Sequence, residues 1–175
     1  MKAFLAVYVR RIPPYTMPEG APLGERFVRI IATGLGSGYV PFAPGTAGTL
    51  VAIPLYLVLF PLSWPLYLLT AVALTFLAIH VSGAAEVLFG RKDAPRIVID
   101  EICGFLFAMF CVTPTVTHIA AGFALFRLFD IVKPFPAGLI QRRFPGGYGV
   151  VLDDVAAGVY ANLVLRALVW AGVLG

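Results

Sequence analysis

The stretch that decides the fold is residues 96–133, RIVIDEICGFLFAMFCVTPTVTHIAAGFALFRLFDIVK. An acidic pair stands near its beginning, Asp130 and Lys133 stand at its end, and no charged side chain lies between Ile102 and Phe126. The segment Thr113-Pro114-Thr115 interrupts the apolar run near its middle, where proline favours a turn. The stretch therefore predicts a helical hairpin whose two ends return to one charged surface.

The composition of the whole chain is that of a membrane protein. Of its 175 residues 60% are hydrophobic and only 13% are charged, whereas soluble domains have about 45–50% apolar residues. The net charge of +4 comes without a basic stripe interleaved with aromatic residues, which argues against a nucleic-acid surface and for anionic lipid as the counterpart. Two cysteines, Cys103 and Cys111, support neither a disulfide framework nor a Cys-rich zinc site.

The N-terminal part of the chain divides into two segments. Residues 1–22 contain four prolines and are predicted to form a Pro-rich arm rather than a helix. Lys2 to Tyr8 weakly resembles a signal peptide, but its apolar run is short and no small-residue cleavage site follows, so we expect it to be retained. Gly24 to Thr33 has the pattern of a short amphipathic helix at the membrane interface. Residues 23–175 are expected to form one membrane domain.

The remainder predicts an all-α, polytopic membrane helical bundle with about five membrane segments: two hairpins and a C-terminal helix, preceded by the N-terminal interfacial helix. Gly-rich and Pro-rich polar segments separate the apolar runs. The predicted membrane segments are 47–60, 65–82, 99–111, 117–129 and 155–173, and the predicted polar loops are 33–49, 83–99 and 130–149. Several of these segments are shorter than the roughly 20 residues of a full span, so the hairpins are either re-entrant or lie in a thinned bilayer.

Charge predicts the topology. All nine acids and every lysine and arginine except Arg166 fall in the N-terminal region, in the 83–101 loop or in the 127–154 segment. The intervening turns, 61–64 and 113–117, carry no charge. By the positive-inside rule the charged side is cytoplasmic.

Three acidic groups are predicted to share this charged side. They are Asp100-Glu101 at the start of the second hairpin, Asp130 at its end and Asp153-Asp154 at the start of the last helix. Clustered carboxylates near hydrocarbon repel one another, and a bound divalent cation would relieve this repulsion. Oxygen ligands suit Mg²⁺, so all five acids are candidate metal ligands and catalytic residues. The alternative is that Asp100 and the pair Asp153-Asp154 are caps and first-turn acids at helix N-termini, where negative charge is favourable.

Phosphate-binding candidates surround these acids. Arg127 and Lys133 flank Asp130, and Lys92 lies in the preceding loop. Thr46 belongs to a glycine-rich sequence that opens a helix, whose N-terminal amides can bind an anion. Each of these features alone is also consistent with a breaker loop or with lipid headgroup contacts.

Other phosphatase designs are missing from the sequence. Neither cysteine begins a Cys-x5-Arg pattern, no Asp-x-Asp-x-Thr occurs, and His80 and His118 lie in apolar segments without the surroundings of a nucleophilic histidine. The remaining candidate is a mechanism in which carboxylates bind a metal ion.

Four stretches of the chain resemble the phosphatidylglycerophosphatase A family. In the family's order they are GLGSGYVPFAPGTAGT (34–49), RKDAPRIVIDEICG (91–104), LFRLFDIVKPFP (125–136) and GGYGVVLDDVAAG (146–158). The resemblance implies a Mg²⁺-dependent enzyme of the bacterial inner membrane that hydrolyses phosphatidylglycerophosphate to phosphatidylglycerol and phosphate. It also implies that the five candidate acids occupy the family's acidic motif positions.

The mechanism and the substrate leave alternatives open. The nucleophile is either a metal-activated water or an aspartate that becomes phosphorylated. The rival functions are another Mg²⁺-dependent lipid headgroup enzyme, such as a phosphatidate phosphatase or phosphotransferase, a small ion-coupled transporter and a non-enzymatic membrane scaffold. A transporter would place its acids near mid-membrane in broken helices.

Overall fold

The computed structural model describes residues 21–174, and within that range the chain forms seven α-helices and no strand. The helices are α1 (Leu23–Ala32), α2 (Pro44–Leu59), α3 (Trp64–Phe89), α4 (Ile99–Ala108), α5 (Val116–Val132), α6 (Ala137–Arg143) and α7 (Gly147–Trp170), with a short 3₁₀ helix at Ser37–Tyr39. The all-α prediction and the second hairpin, α4–α5, are confirmed. Helices α2 and α3 are joined by the predicted short turn, but both pack on α4 rather than extensively on each other. The predicted Pro-rich arm lies outside the described residues except for its last two.

The first hairpin differs from the prediction at both ends. Helix α2 begins at Pro44, which suits the first helical position because proline lacks the amide that would have no partner there. Helix α3 continues seven residues beyond the predicted end at Ser82 and stops at Gly90, whose left-handed backbone ends the helix. The predicted start of the polar loop, Gly83, was therefore wrong, whereas its predicted end at Ile99 agrees with the start of α4. Gly83 lies within α3 at the point where α7 approaches closely, since a Cβ on Gly147 would be 2.8 Å from the Gly83 nitrogen.

The segment predicted as a polar loop after Asp130 also contains regular structure. Residues 137–143 form α6, and α7 begins at Gly147, eight residues before its predicted start. Gly147 packs so closely on α3 that a Cβ there would overlap the carbonyl oxygen of Ile79. Gly147, one of the glycines that suggested a loop, is thus a helix-packing residue. As a result Asp153 and Asp154 lie in the second turn of α7, so they are not helix caps.

Helix α4 packs against α7 through glycines. A Cβ on Gly158 would overlap the carbonyl oxygen of Gly104, and a Cβ on Gly104 would lie 2.6 Å from the carbonyl oxygen of Asp154. At the end of α4, Asn162 donates hydrogen bonds to the carbonyl oxygens of Ala108 (2.9 Å) and Phe110 (2.8 Å). Together, the glycine contacts and the Asn162 hydrogen bonds hold α4, which carries the acidic pair in its first turn, against α7.

Replacing Gly158 by alanine is expected to destabilise the fold by about 1–3 kcal/mol, because the new methyl group can be accommodated only by moving α4 away from α7. The matched control is Gly24→Ala in α1, where a Cβ meets nothing within 4 Å. That change is expected to leave stability unchanged or to raise it slightly. Thermal unfolding of both variants in detergent measures the difference, and equal melting temperatures would contradict the close contact.

The charge-free turns meet at the end of the bundle opposite the acids. The Tyr56 hydroxyl donates to the carbonyl oxygen of Val112 at 2.5 Å, and Phe60, Trp64 and Phe110 line one small cavity there. Among the described residues, the acidic groups therefore lie at one end of the bundle and the two charge-free turns at the other, as the sequence pattern indicated.

Two of the described helices are long and apolar enough to cross a membrane. They are α3, with 26 residues, and α7, with 24, which at 1.5 Å per residue reach about 39 Å and about 36 Å, against a hydrocarbon core of about 30 Å. The outer face of α3 is apolar and exposed, which indicates membrane association. Its exposed large side chains are Trp64, Leu66, Leu69, Val72, Phe76 and Leu77. Helices α2, α4 and α5 have only 16, 10 and 17 residues, so five complete crossings remain a prediction.

Candidate active site

The acidic groups of three helices meet in one pocket at the charged end of the bundle. The pocket has a volume of about 300 Å³. Its lining residues are Ala43, Pro44, Gly45, Asp93, Pro95, Ile97, Asp100, Glu101, Arg127, Asp130, Lys133, Gln141, Val150, Asp153 and Asp154. The site is thus assembled from α2, α4, α5, α6, α7 and the loop before α4.

Asp100, Glu101 and Asp154 form the most compact part of the pocket. One carboxylate oxygen from each residue lies within 4.8 Å of the others. Asp100 and Glu101 stand in the first turn of α4, and Asp154 faces them from α7 across the glycine contact. Asp100 and Asp154 are only 6% and 3% exposed, so water screens the repulsion between these carboxylates poorly. Such a group is stabilised by a positive partner.

Several carboxylate oxygens in this pocket are buried without a hydrogen-bond partner among residues 21–174. They are Asp100 Oδ1, Glu101 Oε2, Asp153 Oδ1 and Asp154 Oδ2. An unpaired buried charge is costly, and buried charges are normally paired or coordinate metals. Three oxygen ligands from two helices, with further oxygens close by, fit a hard divalent cation such as Mg²⁺.

Arg127 and Lys133 supply the positive charge in the pocket. Arg127 Nη1 lies 2.7 Å from Asp130 Oδ2 and 3.7 Å from Glu101 Oε1, while its buried Nε donates to no described residue. Lys133 Nζ bonds Asp153 and lies 3.6 Å from Asp130 Oδ1 and 3.9 Å from Asp154 Oδ1. The two side chains thus connect the three acidic groups of the site.

Lys133 is placed by the end of α5. Its left-handed backbone, with φ of 45°, ends the helix and turns the chain. Burial acts to lower its pKa, but the carboxylates of Asp154, Asp153 and Asp130 outweigh it and raise the pKa well above the ordinary value. Lys133 is therefore a fixed positive charge at neutral pH.

Helix α2 begins at this pocket. Gly45 lines it, and a Cβ there would overlap Glu101 Oε1 and come within 3.0 Å of the Arg127 guanidinium. The missing side chain leaves room for those two charged groups. The N-terminal end of a helix also carries partial positive charge that favours an anion.

Seven of the nine site residues predicted from sequence line the pocket, and two do not. The seven are Asp100, Glu101, Arg127, Asp130, Lys133, Asp153 and Asp154. Thr46 follows the lining residue Gly45, and Lys92 is exposed beside the lining residue Asp93. The predicted phosphate contacts by Thr46 and Lys92 therefore find no support in the pocket.

Sequence reasoning missed Asp93 and Gln141. Asp93 stands in the same motif as Asp100, so its proximity to the acidic pair was a usable signal. Gln141 gave no such signal, because its position depends on α6, which was not predicted.

Comparison with known proteins identifies the chain's relatives. A family model described as Phosphatidylglycerophosphatase A matches residues 30–169. A protein of Bacteroides thetaiotaomicron named putative phosphatidylinositol-3-phosphatase is 40% identical over 149 residues, covering 81% of this chain and 92% of that protein. Proteins named phosphatidylglycerophosphatase A from Escherichia coli and Haemophilus influenzae are 34% and 36% identical, covering 78% and 81% of this chain and 80% and 88% of those proteins. No solved structure matches. The chain therefore belongs to the phosphatidylglycerophosphatase A family of enzymes.

Proposed function

We propose that this chain is a Mg²⁺-dependent lipid phosphatase that hydrolyses phosphatidylglycerophosphate to phosphatidylglycerol and phosphate at the cytoplasmic face of the bacterial inner membrane. One observation carries the proposal: buried, unpaired carboxylate oxygens share a single pocket with Arg127 and Lys133. Cation ligands and phosphate-binding groups are the two components that phosphoryl transfer requires. Membership of the family supports this choice of substrate.

We assign cation binding to the acidic residues. Asp100, Glu101 and Asp154 would hold it, and Asp130 and Asp153 lie on the Lys133 side of the same pocket. Mg²⁺, when bound, neutralises charge on the phosphoryl oxygens and activates the attacking nucleophile. The close contact between α4 and α7 fixes the three ligands before substrate binds, so little reorganisation is needed.

We assign binding of the substrate phosphate to the basic residues. Arg127 lines the pocket and its Nε has no hydrogen-bond partner among the described residues, so its guanidinium would bind a phosphoryl oxygen. Lys133 remains protonated because its pKa is raised, so it stabilises developing negative charge rather than donating a proton. The N-terminus of α2 adds partial positive charge beside them.

The position of the pocket suits a lipid substrate. The pocket lies at the charged end of the bundle, while the outer face of α3 is apolar. A phospholipid can then keep its acyl chains in the bilayer while its headgroup enters the pocket. The positive-inside rule favours the cytoplasm for this end.

The rival functions fit the structure less well. A transporter would need its acids in the middle of the membrane, whereas Asp100 and Glu101 are in the first turn of α4 and Asp130 is near the end of α5. A scaffold with acidic caps does not account for Asp153 and Asp154 within α7. Two other lipid substrates, phosphatidate and phosphatidylinositol 3-phosphate, fit the same chemistry. The second is included because one relative is named for it.

Removal of the metal is expected to lower the rate of phosphate release by more than about 100-fold, because charge stabilisation of this kind contributes about that much. The measurement uses the purified full chain in detergent micelles with Mg²⁺ or with EDTA. Phosphatidylglycerophosphate, phosphatidate and phosphatidylinositol 3-phosphate are compared at equal surface concentration. The control is Arg166→Gln, an exposed residue of α7 outside the pocket.

The outcomes separate the proposals. Fastest hydrolysis of phosphatidylglycerophosphate that stops in EDTA and returns with Mg²⁺ supports the proposed function. Equal activity in EDTA would reject the metal, and preference for another lipid would reject the substrate. No release from any lipid in the presence of Mg²⁺ would reject the enzyme.

A further inference from the structure

Two polar residues of the pocket have no part in the chemistry assigned above. Asp93 comes from the loop before α4, and Gln141 comes from α6. Gln141 Nε2 donates a hydrogen bond to Asp93 Oδ2 at 2.9 Å. Asp93 is exposed and Gln141 is half-buried, so the pair forms the mouth of the pocket rather than its floor.

Asp93 is held in an uncommon backbone conformation. Its φ is 48°, and its amide donates to Glu86 Oε1 at 2.7 Å. Left-handed backbone is disfavoured for residues other than glycine, although aspartate tolerates it better than most, and such residues are often found at binding sites. Contacts from α3 and α6 thus fix the orientation of the Asp93 side chain.

The pair offers hydrogen-bond acceptors. Asp93 Oδ1 and Gln141 Oε1 accept no hydrogen bond from the described residues. A carboxylate at this position repels phosphate, but it accepts a hydrogen bond from a neutral hydroxyl group. The mouth of the pocket is therefore suited to a hydroxyl-bearing headgroup next to the phosphate.

We propose that Asp93 and Gln141 form a hydroxyl-recognition site that selects phospholipids whose phosphomonoester is carried on a polyol headgroup. This inference rests on the proposed function. In phosphatidylglycerophosphate the headgroup glycerol has one free hydroxyl between its two phosphates. Phosphatidate has no headgroup hydroxyl at all. The pair thereby excludes the simplest competing lipid phosphate from efficient hydrolysis.

The test compares phosphatidylglycerophosphate with an analogue whose headgroup is propane-1,3-diol phosphate, which lacks only that hydroxyl. The wild-type full chain in Mg²⁺-containing micelles is expected to prefer the natural headgroup by about tenfold or more in kcat/KM, because the analogue loses a hydrogen bond to a charged carboxylate. Gln141→Leu and Asp93→Ala are each expected to bring the ratio of the two kcat/KM values near one. Arg142→Leu, on the same helix and bonded to the Gly138 carbonyl oxygen, is expected to keep the wild-type ratio.

The ratio distinguishes recognition from a structural role, because a general loss of folded enzyme lowers both rates equally. Equal hydrolysis of the two lipids by wild-type protein overturns this inference and leaves the proposed function intact. A preference that survives in both variants overturns it as well. If one variant fails to fold, the wild-type ratio and the other variant decide. Wild-type protein that hydrolyses neither lipid contradicts the proposed function itself.

Discussion

Replacing Asp154 by asparagine is expected to lower kcat for phosphate release by on the order of 10³-fold. Asp154 is only 3% exposed, and it shares the compact group of oxygens with Asp100 and Glu101. Asparagine preserves the shape of the side chain but removes its charge, so the change removes cation binding without opening a cavity. Phosphate release at increasing Mg²⁺ measures both kcat and the Mg²⁺ concentration at half-maximal rate.

The same variant is expected to have the opposite effect on stability. Without a divalent cation the buried acids repel one another, and removing one negative charge relieves that repulsion. Asp154→Asn protein in EDTA should therefore unfold at a higher temperature than the wild type. Addition of Mg²⁺ should stabilise the wild type, since a ligand that binds the folded state raises its stability, and should stabilise the variant much less.

The matched control for Asp154→Asn is Glu25→Gln. Glu25 also carries a carboxylate, but it lies on α1 and pairs with Arg29 at 2.8 Å, away from the pocket. Its replacement is expected to change kcat by less than about twofold, as is usual for surface ion pairs. Near-normal activity in Asp154→Asn protein would remove this residue from the site.

Lys133→Met is expected to lower kcat by about 10²–10³-fold while leaving Mg²⁺ binding as strong as before or stronger. Lys133 Nζ contacts the carboxylates of Asp130, Asp153 and Asp154. Its loss makes the pocket more negative, which favours the cation and disfavours the phosphate. The combination of low kcat with an undiminished Mg²⁺ response differs from the effect of Asp154→Asn.

A Mg²⁺ titration of activity, together with calorimetric Mg²⁺ binding, measures the two effects of Lys133→Met separately. The comparison variant is Lys92→Met, because Lys92 is exposed and does not line the pocket. We expect its effect on kcat to be several-fold smaller than that of Lys133→Met. Weakened Mg²⁺ binding in Lys133→Met protein would show that this lysine organises the acids rather than binding phosphate.

The charge pattern was enough to predict the helical class, the second hairpin and the meeting of three acidic groups at one end. It was informative because charges are so costly in hydrocarbon that their positions mark the ends of apolar segments. Element boundaries near glycine were predicted less well. Gly83 and Gly147 look like helix breakers in the sequence, but each lies where two helix backbones approach closely.

The two residues at the mouth of the pocket could not be predicted from the sequence pattern, because their contact also depends on how helices pack. Asp93 and Gln141 are 48 residues apart, and no periodicity connects them. Their contact depends on α6, a helix of seven residues within a segment rich in proline and glycine. Tertiary packing overrides local preference in such short elements.

The glycine contact between α4 and α7 has a consequence for protein engineering. Because Gly104 and Gly158 determine the distance between the helices that carry Asp100 and Asp154, the geometry of these acids is independent of the outward-facing side chains of α3. Residues such as Leu69 and Phe76, which are 65% and 57% exposed, are then free to be exchanged for polar ones. Polar replacements on this face of α3 are expected to leave the spacing of the two acids unchanged, provided that both glycines are kept.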